Sequence, residues 1–262
     1  MGSFPNAFSD MASSIAAWRL WTLLGWLEIR QRYARSRLGP FWLTISMGVM
    51  IGSIGVVYGT LFKQDIREYL PFLAISLIMW NYFSLTVTEG STAYIYSAPF
   101  IRQTATPKLI FIFQVAWRNA IILGHNFLII LVLLIAFGTH SWLAMIWFIP
   151  AFVIYAANAI WIAALVGLLS ARFRDLPQMI SAVMQIAFYV TPIIYKPSSL
   201  TKFPLIVEMN PLTYMIDLVR GPLTGVAPNL NTWIICCTMA VLGWLLALFM
   251  TGRFIKRVAF WV

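Results

Sequence analysis

Apolar residues run through this chain in long blocks, and the charged residues collect in the intervals between them. Five stretches of 20 or more residues carry no Lys, Arg, Asp or Glu: 38–62 (25 residues), 69–88 (20), 119–171 (53), 176–195 (20) and 221–252 (32). About 20 apolar residues in a helix cross the ~30 Å hydrocarbon core of a bilayer, and a charge at mid-depth costs about 2.5–3.5 kcal/mol on the insertion scale. Each block is therefore long enough to cross. The 53-residue block is too long for one helix, and its break at Gly138-Thr139-His140-Ser141 predicts a helical hairpin. The pattern predicts an all-α integral membrane protein with six spans, near 41–62, 70–88, 117–137, 142–169, 178–195 and 232–251.

Composition agrees with lipid as the solvent. Of the 262 residues 61% are hydrophobic and only 10% charged, and mean hydropathy is +0.84. A soluble domain carries about 25% charged residues, so this chain has too few to cover a water-facing surface. The net charge of +10 does not point to nucleic acid, because the basic residues sit between apolar blocks, where they set topology. With the N-terminus inside, thirteen Lys and Arg fall on cytoplasmic segments and five outside, while the acids divide four and four. Both ends are then cytoplasmic. Cys236 and Cys237 stand side by side in an apolar run, fitting neither a metal site nor a disulfide framework. No basic region precedes the first apolar stretch as a cleavable signal would require, and the sixth position is Asn6 where a myristoylation signal wants Ser or Thr.

The segments between the spans are longer than a minimal bundle needs. Residues 13–37 carry Trp18, Trp21 and Trp26 and then turn basic, and their longest charge-free piece, 20–27, cannot cross. Trp followed by Arg is the chemistry of a helix lying in the interface, rings at headgroup level and guanidinium groups on anionic lipid; a plain topogenic anchor remains the simpler reading. Residues 1–37 form a tail and interface helix, and 38–262 the membrane domain. Between the second and third spans, two prolines bracket a short amphipathic turn in Ala98-Pro99-Phe100-Ile101-Arg102-Gln103-Thr104-Ala105-Thr106-Pro107-Lys108. This inner loop is long enough to dock a soluble partner or simply to lie on the membrane. On the outer side, Asn210 is a natural N-cap, Pro211 suits the first helical position and Gly221-Pro222 should stop the helix. The resulting helix of about ten residues is too short to span, so it dips in and returns, which backbone tolerates only when packed on protein or lining a cavity.

No catalytic constellation is visible. His125 and His140 have no carboxylate or cysteine at ligand spacing, and neither a His-Glu-x-x-His nor a phosphate-binding Gly-Lys-Ser/Thr loop occurs. His125-Asn126 falls within the third span, where hydrogen bonding between helices or contact with a polar substrate would each account for it. The spans hold no acidic residue at mid-depth for a coupling ion, so energised transport would need a separate ATPase. Aromatic residues near span ends, among them Tyr58, Trp80, Tyr82, Phe83 and Tyr189, suit interfacial belts and would equally suit a conduit for sugars.

At this point four stretches become familiar: Arg-Gln-Arg-Tyr-Ala-Arg-Ser-Arg-Leu-Gly-Pro-Phe-Trp (30–42), the Pro-Phe-Ile-Arg…Pro-Lys loop (99–108), Ala-Arg-Phe-Arg-Asp-Leu-Pro-Gln (171–178) with Thr-Pro-Ile-Ile-Tyr (191–195), and Asn-Pro-Leu-Thr-Tyr…Arg-Gly-Pro-Leu (210–223). In order and spacing they resemble the permease subunit of bacterial ABC exporters for O-antigen, teichoic acid, capsule and related polysaccharides, over roughly 15–260. The resemblance implies a multi-pass inner-membrane homodimer enclosing a conduit, with two ATP-binding subunits beneath it, ATP and magnesium being held by those partners and no cofactor by this chain. Ser97, Pro99, Phe100, Ile101, Arg102, Pro107 and Lys108 would form the helix that couples to the ATPase, with Arg172, Arg174 and Asp175 on a second inner turn. Arg30, Arg32, Tyr33, Arg35 and Arg37 would meet the pyrophosphate of a lipid-linked substrate through charge-assisted bonds. Asn210, Pro211, Tyr214 and Arg220 would belong to the outer gate, and Tyr58, Trp80, Tyr82, Phe83 and Tyr189 could line the conduit. Other readings are a drug or small-lipid permease of the same superfamily, a membrane-embedded glycan-modifying enzyme, or a non-catalytic assembly subunit.

Overall fold

The computed structural model describes residues 3–33, 39, 41–104, 106–138, 141–200 and 202–262. Regular structure among these residues is all helical, with no strand. The N-terminal segment is described over residues 3–33. It folds as two helices, α1 (Ser3–Ala16) and α2 (Trp18–Tyr33), which pack on the membrane helices rather than only on lipid. Helix α3 (Phe41–Leu61) follows, then α4 (Ile66–Tyr96) and the six-residue α5 (Ala98–Gln103). Helix α6 (Leu109–Phe137) leads through the break after Gly138 and a short 3₁₀ turn, Leu143–Trp147, into α7 (Phe148–Arg172). Then come α8 (Leu176–Val190), the short α9 (Pro204–Glu208), α10 (Pro211–Thr224) and α11 (Leu230–Trp261).

Among the described residues five helices are long and apolar enough to cross a bilayer: α3, α4, α6, the 143–172 segment and α11. The sixth expected span, 178–195, is the 15-residue α8, which at 1.5 Å per residue is about 22 Å long. Its end is set by Thr191-Pro192: a residue before proline is pushed to extended backbone, and Thr191 has ψ 139°. The chain from 191 to 195 is then irregular.

Helix α4 is the axis of the bundle. Its buried side chains face α3, α6, α7, α8 and α10 in turn. It runs parallel to α7 and antiparallel to α6, and glycine lets α4 and α7 touch. A Cβ on Gly90 would lie 2.6 Å from the Ala163 Cβ, and one on Gly167 would lie 2.7 Å from the Gly90 carbonyl oxygen. Trp80, Tyr82 and Phe83 are buried in the same core with Phe152, Tyr155 and Phe188, and the Tyr155 hydroxyl donates to the Met79 carbonyl at 2.8 Å. Within the single subunit these three side chains present no open face to a conduit. They hold one subunit together, because the 31-residue α4 is wrapped by its neighbours and presents these side chains to them.

Candidate functional site

Three groups of polar contacts organise the molecule, one at the end of the bundle that the charge bias predicts to be outer and two at the end it predicts to be inner. At the outer end α10 begins as the sequence expects: Asn210 caps it by accepting the Leu212 N–H at 3.0 Å, with Pro211 in the first turn. It does not stop at Gly221-Pro222. The helix continues to Thr224 and ends at Gly225, whose φ of 88° is the left-handed conformation that glycine adopts without a Cβ penalty. The Tyr214 hydroxyl donates to the Glu208 carbonyl at 2.8 Å, tying α10 to α9.

Arg220 is 5% exposed and serves the irregular backbone after α8. Its Nη1 donates to the Pro192 carbonyl at 2.9 Å and to Ser76 Oγ on α4 at 3.0 Å. Its Nη2 pairs with Asp217 one turn earlier, and the guanidinium lies 4.2 Å from the centre of the Phe72 ring. The Tyr69 hydroxyl donates to the Ile194 carbonyl at 2.6 Å, and Asn210 Nδ2 donates to Thr191 Oγ1 at 3.0 Å. Backbone groups freed by the proline thus find partners from α4 and α10, as a non-helical segment within a bundle requires.

At the inner end, α5 leaves Phe100 60% exposed and buries Ile101 against α6 and α11. Arg102 donates its Nε to the Val262 carbonyl at 3.0 Å, and the Arg172 guanidinium sits 5.7 Å from the Trp261 ring centre. The last two residues of the chain therefore bring the two expected coupling segments to one place. Arg174 and Asp175 are exposed on the turn beyond Arg172, and Ser97 is half-buried where α4 passes into α5. On the far side of the loop, Asp10 of α1 accepts the backbone N–H of Lys108 at 2.8 Å and of Leu109 at 3.1 Å, capping α6 from another helix. Burial pushes the Asp10 carboxyl above its ordinary value and the Lys108 ammonium below it. Pro107 is half-buried beside this cap.

The third group joins α2, α4 and α6. Arg118, 8% exposed, pairs through Nη1 with Glu28 and through Nη2 with Glu89 at 2.6 Å. Gln114 Nε2 donates to Glu28 at 2.5 Å and Asn119 Nδ2 to Glu89 at 3.1 Å. Gly25 lets α2 approach, a Cβ there lying 3.1 Å from both the Gln114 carbonyl oxygen and the Trp117 ring. Of the expected entrance residues, Arg30 is exposed, while Arg32 leans 3.7 Å from Glu89. Tyr33 closes α2, and Arg35 and Arg37 lie outside the described residues.

Two candidate conduit residues keep an open face: Tyr189, 64% exposed on α8, and the half-buried Tyr58 on α3. His125 bonds the Ile121 carbonyl of its own helix at 2.8 Å rather than a neighbouring helix. Sequence reasoning did not reach Asp10, Glu28 or Glu89. Each is an acid in a chain poor in acids, and that scarcity was the available signal.

The chain matches the membrane family described as ABC-2 type transporter across residues 19–224. It is also similar to two proteins of Klebsiella pneumoniae, each named O-antigen export system permease protein RfbA. Identity is 27% over 195 residues and 28% over 199, covering 72% of this chain and 74% of each relative. The protein of that name from Myxococcus xanthus is 21% identical over 192 residues with the same coverage.

Proposed function

The chain belongs to the ABC-2 type transporter family, and from there we propose that it is the membrane subunit of an ATP-driven exporter carrying a lipid-linked polysaccharide of the O-antigen type out of the cytoplasm. It is a multi-pass membrane protein and a transporter permease rather than an enzyme. The relatives' shared name supports a polysaccharide cargo over a drug or small lipid.

The observation that carries the mechanism is the inner end of the bundle. Exposed Phe100 and the 172–175 turn share a surface braced by Trp261, Val262 and Asp10. An ATP-binding subunit would seat there, two of them under a homodimer in the inner membrane with both termini cytoplasmic. Nucleotide and magnesium would be held on those partners, whose closure would press on α5 and so on α4. The exposed Arg30, with the basic residues that follow α2, would receive the substrate pyrophosphate. Tyr189 on α8 and Tyr58 on α3 would offer rings to sugar faces between the two copies.

Deleting the gene in its host and following the glycan tests this reading. Loss of surface polysaccharide with accumulation of its lipid-linked form inside, restored by the wild-type gene, is the expected result. Surface glycan undiminished by the deletion would end it. Replacing Arg30, Arg32 and Arg35 by Gln in correctly inserted protein tests the phosphate role in the same assay.

A further inference from the structure

We propose that Glu28, Glu89 and Arg118 form a charge joint that holds α2, α4 and α6 as one rigid body, so that displacement of α5 reaches α2; the function of this joint rests on the exporter reading above. Each of the three helices contributes one charge. Arg118 on α6 bridges the Glu28 carboxylate on α2 and the Glu89 carboxylate on α4, and a second, longer approach from Arg32 returns from α2 to α4. Gln114 and Asn119 add neutral hydrogen bonds to the same two acids. The joint lies two helical turns from the end of α4 at Tyr96, where the chain passes through Ser97 into α5.

The placement argues for more than satisfaction of a buried cation. Two cations, Arg118 and Arg32, face two carboxylates, yet Arg118 divides itself between acids on separate helices while its Nε is left without a partner. A cavity of about 180 Å³ opens beside the joint, lined by Glu28, Arg32, Glu89, Tyr96, Ser97 and Gln114 among others. Packing alone therefore does not lock α2 to the α4–α5 junction: space separates them there, and the ionic contacts span it. Helix α2 stays packed on α6 through Gly25, so it is the link from α2 to α4 across this gap that the charges carry and that their loss would loosen. The residues act through the helices they join, so their role is positioning.

The test uses the chain reconstituted with its ATP-binding partner in proteoliposomes containing lipid-linked glycan. Glu28→Gln keeps an oxygen that can accept from Gln114 while removing the charge, and Glu89→Gln does the same toward Asn119. In both, glycan exported per ATP hydrolysed is expected to fall by about tenfold or more, within the range of energetic coupling between sites. Replacing Glu28 and Gln114 by Cys, with Cys236 and Cys237 changed to Ala, and bridging them with a short bis-thiosulfonate should restore the ratio, and reduction should abolish it again. An unchanged ratio in the Gln variants, or a bridge that blocks export instead of restoring it, overturns the proposal. A second measurement does not need cargo: spin labels at Arg30 and Tyr96, both exposed, should give one narrow distance in the wild type and a broadened one in Glu89→Gln. Equal widths overturn the joint whatever the chain transports. Wild-type vesicles that export nothing with ATP would instead defeat the exporter reading.

Discussion

The carboxylate of Asp10 stands 2.8 Å from the backbone nitrogen of Lys108, and so one helix caps another across 98 residues of sequence. The first N–H groups of a helix have no intrahelical partner, and for α6 a side chain of α1 supplies one. Asp10→Ala removes it, and we expect a loss of about 0.5–2 kcal/mol, the usual cost of a missing cap. Thermal unfolding in detergent reads the loss, and proteolysis should find α1 released from α6.

The same carboxyl gives a pH dependence of definite sign. Burial raises its pKa above the ordinary 3.8, so the folded state holds the proton more tightly than the unfolded state does. Its contribution to stability is full below the ordinary value and is lost as pH rises through the raised one. Asp10→Asn keeps an acceptor oxygen and has no charge to desolvate. We expect it to gain on the wild type as pH rises from acid to neutral, in unfolding curves taken side by side. A gap that widens toward acid would contradict the burial argument.

Gly167 and Gly90 set the spacing of α4 and α7. Gly167→Ala places its new methyl against the Gly90 carbonyl oxygen, 2.7 Å away, where backbone cannot yield as a side chain can. Overpacking of this kind costs about 1–3 kcal/mol. Gly52 and Gly124 have no atom within 4 Å of the added Cβ, so alanine there should be neutral or stabilising by up to about 1 kcal/mol. Melting temperatures of the three variants test the contrast.

Arg220 binds α10 to the irregular backbone after α8. Arg220→Met leaves the Pro192 carbonyl without its donor and Asp217, 39% exposed, without its cation. An unsatisfied buried acceptor costs about 1–3 kcal/mol, and water screens much of the carboxylate's loss. Arg220→Met with Asp217→Asn should recover part of that, because no lone charge remains. A double variant no better than the single would assign the loss to the carbonyl contacts.

For the proposed ATPase contact, truncating the exposed ring of Phe100 is the direct trial. An aromatic anchor at an interface is worth about 2 kcal/mol on truncation, near 30-fold in affinity. Copurification of the ATP-binding subunit with Phe100→Ala should drop accordingly while membrane insertion stays intact.

Much of this architecture is written in the charge-free blocks, because insertion cost acts on each helix separately and a single sequence displays it. The Asn210-Pro211 start of α10 was legible for the same local reason, as was the break at Gly138. What was hidden depends on which helices meet. Arg118 marks the inner edge of a span in sequence, but only the packing of α2 on α6 through Gly25 shows that Glu28 reaches it. Trp80, Tyr82 and Phe83 look interfacial in a linear reading, since nothing local reveals that α4 is enclosed by five neighbours. The stop of α10 moved from Gly221 to Gly225 because Pro222, in the last turn, lacks an N–H and so removes one backbone hydrogen bond without ending the helix, whereas a left-handed glycine reverses the chain.

The partners of Arg220 also fix an order of events during synthesis. Phe72, Ser76, Pro192 and Asp217 all precede it in the chain. When the arginine leaves the ribosome, every group that will shield it has already been made, and its carboxylate counterpart travels with it one turn ahead. The segment from α8 to α10 can therefore settle against α4 with Arg220 already compensated, without carrying a lone cation through lipid.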